Sequence, residues 1–475
     1  MKVLVVSTNR CSLPIPVLPL GAAMAAEAAR RAGHQVAFLD LMFARDPLAA
    51  LGRAIRSAAP DVVGLSVRNI DNADLLAPVA YTDALPPMMA AIRARTAAPV
   101  VLGGSAVGVM PEHLLRCTGA EWAVLGDGEA VFPRLLAALA GQGSPREVPG
   151  VAWLERGRLR LAAIARHALD GAKVSELLGW LAPRAYARRF AAVPLQTKRG
   201  CPFACVYCTY PMLEGRDYRL VEPDRVVAAV RETCARGLRD IEFVDNVFNA
   251  PYGHALAICE GIARARPGAR LQTMDLSPDF VDDALLDAME RAGFVGIGIT
   301  AEAAADAPLR GLGKSYGAAE AWRAAEAVRR HAIPCLWIFL LGGPGETEAT
   351  VRETLRFADE VVRPRDGAFF SIGVRIYPGT PLEGLARHEG LLGVPPEEML
   401  QPVFYLSPGV ERERLVRAVR EASARRLEFF DSDSVTLPLL STLRRLAYWL
   451  GWRPPLWQHA RGIRRLARLL RRDPR

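Results

Sequence analysis

Short, wholly apolar runs alternate with amphipathic stretches through the first 140 residues. The runs at 3–6, 36–39, 62–65, 100–102 and 122–125 are aliphatic or β-branched nearly throughout. Segments at 21–32, 48–58, 88–95, 112–117 and 131–140 follow them, with apolar positions three and four apart. Five strand–helix units of this kind predict a parallel sheet covered on both faces, because strands without polar alternation have no face for water. The expectation is an α/β, doubly wound (Rossmann-like) domain over 1–145. Gly33 stands where the first helix should stop, and Pro60-Asp61 and Pro99 mark strand entries. Ligands of such sheets bind beyond the carboxyl ends of the strands, which here means the loops 7–19, 66–74, 103–111 and 126–129.

The rhythm lapses at Gly141-Gln142-Gly143-Ser144-Pro145, the start of an expected linker over 146–190. It resumes with strand patterns at 194–198, 240–244, 270–274, 295–300, 335–341 and 368–376, separated by helical patterns at 223–236, 252–266, 279–292, 316–331 and 346–362. Six such units predict a partial (β/α)6 barrel over 191–400, with its active site on the loops after the strands. From 401 to 475 the pattern turns helical and basic.

With 475 residues, 51% of them apolar, the chain is long enough for two or three cores. No uncharged apolar stretch reaches the ~18 residues of a membrane span, and the run at 1–7 is too short for a signal-peptide core, so a cytoplasmic protein is expected. The net charge of +9 is local: residues 444–475 hold ten Arg and one Asp, so the remainder balances to zero. That distribution argues against a nucleic-acid face on the body of the protein. The tail, which also carries Trp449, Trp452, Trp457 and periodic leucines, reads either as a helical cap on the barrel or as a stretch peripheral to the inner, anionic face of a membrane.

Five of eight cysteines (Cys11, Cys117, Cys234, Cys259, Cys335) are scattered singly and read as buried reduced thiols. The other three, Cys201, Cys205 and Cys208, share the stretch Arg199-Gly200-Cys201-Pro202-Phe203-Ala204-Cys205-Val206-Tyr207-Cys208 with the spacing C-x3-C-x2-C. Structural zinc requires a fourth ligand, and no further cysteine or histidine lies within 20 residues. Three thiolates on one loop suit an iron–sulfur cube with one iron left open.

That spacing, with Tyr207 before the last cysteine, resembles the signature of the radical S-adenosylmethionine (SAM) superfamily. The resemblance implies a 4Fe-4S cluster on the three cysteines, SAM chelated to the open iron, and an external flavodoxin- or ferredoxin-type electron donor. It places Tyr207 near the adenine, although an ordinary loop aromatic fits equally. It sends Asp245 and Asn246, at the second barrel strand's end, toward the SAM amine, and Glu302 toward the ribose or amino end. Gly342 and Gly343 would let backbone approach the adenine, or simply turn strand into helix.

The order of domains resembles the cobalamin-dependent radical SAM class. Gly103-Gly104-Ser105 and Gly126-Asp127-Gly128-Glu129 are small-residue turns able to admit the corrinoid's nucleotide tail, so Gly103, Gly104, Ser105, Gly126, Gly128 and Glu129 are its candidate contacts. The loop Ser7-Thr8-Asn9-Arg10-Cys11 lacks the cobalt-ligating histidine of methionine-synthase-like domains. Arg68 would face the cobalt instead, disfavouring a further ligand because a guanidinium stays protonated. The alternative is a surface ion pair of Arg68 with Asp71 or Asp74. The implied function is a cobalamin-dependent C-methyltransferase of specialised metabolism acting on a small-molecule, lipid or peptide substrate, with catalytic roles for the three cysteines and Arg68. Non-methylating rearrangement or cyclisation, or a non-enzymatic cobalamin sensor or carrier, are the competing readings.

Overall fold

The computed structural model describes residues 1–169, 174–395, 398–431 and 440–470. Arg471, Arg472, Asp473 and Arg475 of the basic tail lie outside them.

The first half is a seven-stranded sheet of β1 (Lys2–Ser7), β2 (Gln35–Asp40), β3 (Val62–Ser66), β4 (Val100–Gly103), β5 (Trp122–Val124), β6 (Val151–Glu155) and β7 (Arg158–Leu161), in the order β2-β1-β3-β4-β5-β6-β7. The first five strands are parallel, so the chain reverses direction across the sheet between β1 and β3, where doubly wound folds open a crevice. Side chains alternate between faces. Val3 and Val5 pack with Ala26 and Leu135 of the helices Leu20–Arg31 and Gly128–Leu139. Leu4 and Val6 pack on the opposite side with Leu51, Met88 and Leu114. The stretch expected as linker is partly sheet: β6 and β7 form an antiparallel hairpin on β5. Its alternation is short and Arg-rich, which hid it from a search for apolar runs.

The second half begins with β8 (Val193–Leu195), followed by a small ribbon of β9 (Lys198–Arg199) and β10 (Arg219–Leu220) that brackets the cysteine loop. There follow β11 (Asp240–Phe243), β12 (Arg270–Leu276), β13 (Phe294–Glu302), β14 (Cys335–Leu341) and β15 (Gly367–Ile372). A second ribbon joins β16 (Val374–Arg375) to β17 (Phe404–Tyr405), and β18 (Phe429–Asp431) completes the main sheet. That sheet is wholly parallel, in the order β18-β15-β14-β13-β12-β11-β8. The region after 401, expected to be helical, therefore supplies one edge strand as well as helices. At three residues β18 is too short for a periodicity signal.

The helix Ala460–Leu470 lies against the second half: Arg464 donates to the carbonyls of Ser423 and Leu427. Gln458 also donates to the carbonyl of Val295. These contacts are those of the cap expected for the tail. Among the described residues no helix is long and apolar enough to cross a membrane.

Candidate functional site

A cavity of about 520 Å³ opens where the carboxyl ends of the two sheets face one another. One wall comes from Ser7, Ser66 and the turns after β4 and β5; the other from Gln196, Glu242 and Asp275, with Tyr210, Leu213 and Glu214 from the segment after the cysteines. Arg68, Gly103, Gly104, Ser105, Gly126, Gly128 and Glu129 all line it.

The glycines have different reasons to be there. Gly104 has φ +99°, and a Cβ would lie 2.4 Å from the Val67 carbonyl oxygen, so the turn itself demands glycine. A Cβ on Gly103 or Gly21 would meet nothing within 4 Å. Bare backbone facing open space is a floor on which a broad, flat ligand can lie, and it fits a corrin.

Arg68 is exposed to this cavity and donates to Asn69 Oδ1 at 3.0 Å, while its carbonyl accepts from Ser105 Oγ at 2.6 Å. The alternative ion pair is not formed. Asp71 is buried against Arg375 at 2.7 Å, and Asp74 accepts from the Leu76 backbone N–H at 2.9 Å. Arg375 thereby ties the two halves together.

Glu129 is drawn away from a purely ligand-binding role. It accepts from Arg199 at 2.6 Å, and Asp127 holds both Arg199 (2.8 Å) and Arg219 (2.6 Å) as well as the His167 N–H. Burial opposes the Asp127 charge, but the two guanidiniums outweigh it and keep the carboxyl below its ordinary range. Arg199 and Arg219 are cross-strand partners in the ribbon of β9 and β10. The turn after β5 is thereby clamped to the base of the cysteine loop.

On that loop Cys201 is buried and Cys205 and Cys208 are half-buried. Burial raises the Cys201 thiol and pushes Cys208 up to about 12, so metal must displace protons to bind. Among the described residues the one group of three ligating side chains converging within 4.8 Å is Asp287, Glu290 and His331; the three thiols do not converge so tightly. Donors spaced wider than that misfit a single ion, and three soft thiolates on one loop suit an iron–sulfur cube by their chemistry.

The remaining predicted residues separate into two sets. Tyr207, Glu302 and Lys314 form a buried knot: Tyr207 Oη donates to Glu302 Oε1 at 2.5 Å, and Lys314 Nζ reaches Glu302 Oε1 at 2.8 Å and Tyr207 Oη at 2.9 Å. Glu302 sits at φ +59°, beside a register shift between β13 and β14, a strained conformation that aims its carboxylate inward. Tyr207 is accordingly the residue that holds Glu302. Asn246 donates to Glu214 Oε2 at 3.0 Å, while its Oδ1 is buried without a hydrogen-bond partner. A buried orphan acceptor fits the ammonium of a bound SAM.

Asp245 and the glycine pair depart from expectation. The Asp245 carboxylate is filled by the Thr197 N–H and hydroxyl, both at 2.7 Å, with Lys198 Nζ at 3.6 Å, so it braces β8 against β11 instead of facing a ligand. A Cβ on Gly342 would lie 2.5 Å from Leu406, and one on Gly343 2.9 Å from Leu312. Those glycines admit the chain's own leucines, which is the strand-to-helix reading of that turn.

Spacing missed Lys314, Asp127, Arg199, Glu242 and Asp275. The last two carried a usable signal, since each interrupts an apolar strand run. Burial first, and then the charge of Glu242, push the Asp275 carboxyl up to about 7.

The family model of the Radical SAM superfamily matches residues 195–358, and that of the B12 binding domain matches residues 11–136. The chain joins a B12 binding domain to a radical SAM domain. This radical SAM protein is 26% identical to tryptophan 2-C-methyltransferase of Streptomyces laurentii, over 76% of this chain and 71% of that one. It is 30% identical to the hopanoid C-3 methylase of Methylococcus capsulatus, over 52% and 45%. Its fold matches that of the radical SAM methyltransferase TsrM from Kitasatospora setae, solved with cobalamin and a 4Fe-4S cluster, with a TM-score of 0.85, 24% identity and 99% of each chain covered. Both curated relatives are named as methylating enzymes, and the two domains matched in this chain are those of radical SAM and B12 binding.

Proposed function

We propose that the protein transfers a methyl group from SAM, by way of cobalamin, to a carbon of a small molecule. The supporting observation is the single cavity that puts Arg68 and the bare turns of the first sheet opposite Gln196, Glu242 and Asp275 of the second. In this reading residues 1–145 with the hairpin of β6 and β7 bind the corrinoid, and 191–400 bind cluster and SAM. When bound, the three cofactors supply one-electron reduction, methyl donation and methyl carriage.

The chain's own residues do the positioning. Cys201, Cys205 and Cys208 would hold the cluster; Asn246 Oδ1 would accept from the SAM ammonium; Glu302, fixed by Tyr207 and Lys314, would receive its polar end. Arg68, on the cavity wall, would meet a bound corrinoid with a cation that cannot ligate. The carboxyls of Glu242 and Asp275, on the opposite wall, would offer hydrogen-bonding groups to whatever occupies the cavity. A flavodoxin- or ferredoxin-type protein supplies electrons, and the exposed stretch 445–452, outside the part of the basic C-terminal region that caps the barrel, meets an anionic membrane surface.

Anaerobic protein reconstituted with iron, sulfide and hydroxocobalamin, then reduced with SAM present, is expected to form S-adenosylhomocysteine. Neither S-adenosylhomocysteine nor 5′-deoxyadenosine would appear if the protein were a sensor or carrier, and 5′-deoxyadenosine alone would mark a non-methylating enzyme.

A further inference from the structure

The three most exposed large apolar side chains among the described residues are Trp449 (87%), Leu450 (67%) and Leu446 (56%), all at the end of one helix, Leu440–Trp449; Trp452 follows. Such side chains scattered singly need no explanation, but four within seven residues do. Their support is firm. Arg444, on the same helix, is buried and donates to the carbonyls of Ser12 and Pro14. Tyr448 packs on Phe190 at 6.2 Å, Trp452 stacks on His459 at 4.6 Å, and Arg270 donates to the carbonyl of Pro454. The projecting side chains therefore stand on a ledge pinned to both halves of the molecule.

The first half extends the same face. Leu13 is exposed between the two residues whose carbonyls hold Arg444. Phe43 is exposed under the Arg189 guanidinium, 4.0 Å from its ring. Burial, and then the positive field of Arg445, hold Arg189 below its ordinary pKa, which places Arg445 beside this pair. The border of the face is basic: Arg445 is exposed on the same helix, and the Arg453 guanidinium lies 4.5 Å over the Tyr448 ring.

Projecting Trp and Leu with Arg189, Arg445 and Arg453 beside them match one surface above others, a bilayer with anionic headgroups. Indoles settle at the headgroup boundary and guanidiniums pair with lipid phosphates. A groove for a peptide helix would instead need its apolar groups recessed.

We infer that Leu446, Trp449, Leu450 and Trp452, with Leu13 and Phe43, are the face by which the protein docks on an anionic membrane. This rests on the membrane reading given for the basic region, and it names the face and its orientation. Docking there sets the 7–19 loop, whose Val17, Leu18 and Pro19 line the cofactor cavity, against the bilayer. A substrate partitioned into the headgroup layer then lies at the cavity's edge.

The test is co-sedimentation of the full-length, cofactor-loaded protein with vesicles of phosphatidylcholine alone or with about 30% phosphatidylglycerol, at low and high salt. Wild type is expected to pellet with the anionic vesicles only and to be released by salt. The Trp449→Ser/Leu450→Ser double variant is expected to partition about tenfold less with its corrinoid uptake unchanged. No pelleting of wild type overturns the membrane reading as a whole. Equal pelleting of the variant overturns this face while leaving that reading intact. A dimer in gel filtration that the double substitution dissolves would assign the face to a second copy and overturn the inference.

Discussion

Glu346 has one buried carboxyl oxygen with no hydrogen-bond partner, while the other accepts the Gly342 N–H. Burial pushes this carboxyl up to about 7 from an ordinary 4.5. The folded chain thus keeps a proton that the unfolded chain releases, and stability must fall as pH rises through that window. Glu346→Gln keeps the acceptor and removes the titration, so thermal unfolding of the apoprotein should show equal Tm at pH 5 and a higher Tm than wild type at pH 8.5. Parallel profiles would exclude the assignment. At Lys314 the balance is different. Burial works against the Lys314 charge, but Glu302 and Tyr207 outweigh it. Lys314→Met strips a buried carboxylate of its cation, a loss of about 3 kcal/mol, and equilibrium dialysis should show SAM affinity at least about tenfold lower. Lys314→Arg should retain most of both. No local pattern announces Lys314, because its meaning arises only when the loop 312–316 folds back on Tyr207; Glu302 was legible as a polar end to an apolar strand.

At the scale of elements, the apolar runs located each parallel strand of the first sheet and the first six of the second to within a few residues, since strands buried on both faces leave an unbroken signal. The hairpin of β6 and β7 was illegible for the converse reason, since short, partly exposed strands carry no such run, and the buried edge strand β18 is only three residues long. The clamp between the turn after β5 and the ribbon of β9 and β10 joins residues 72 and 92 positions apart, which no motif spacing reveals. Asp127→Asn leaves Arg199 and Arg219 short of counter-charge in a buried site. Urea unfolding should report a loss of about 3 kcal/mol, and iron incorporation at the cysteine loop should fall together with corrinoid uptake. A variant that loses neither would show the clamp to be incidental.

Across the whole molecule, the sequence shows two α/β halves whose ligand-bearing strand ends could face anywhere, whereas the structure turns them toward one cavity. Long-range pairs set that orientation, Asp71 with Arg375 and Asp127 with Arg199 and Arg219, together with the C-terminal strap through Arg444. The account stands on a corrinoid occupying that seam over Gly103, where a side chain would reach open space without striking the protein. Hydroxocobalamin uptake by anaerobically reconstituted Gly103→Phe measures this directly. One corrinoid per wild-type chain, and none in the variant at unchanged iron content and unchanged Tm of the apoprotein, is the predicted result; equal uptake by both proteins would contradict it.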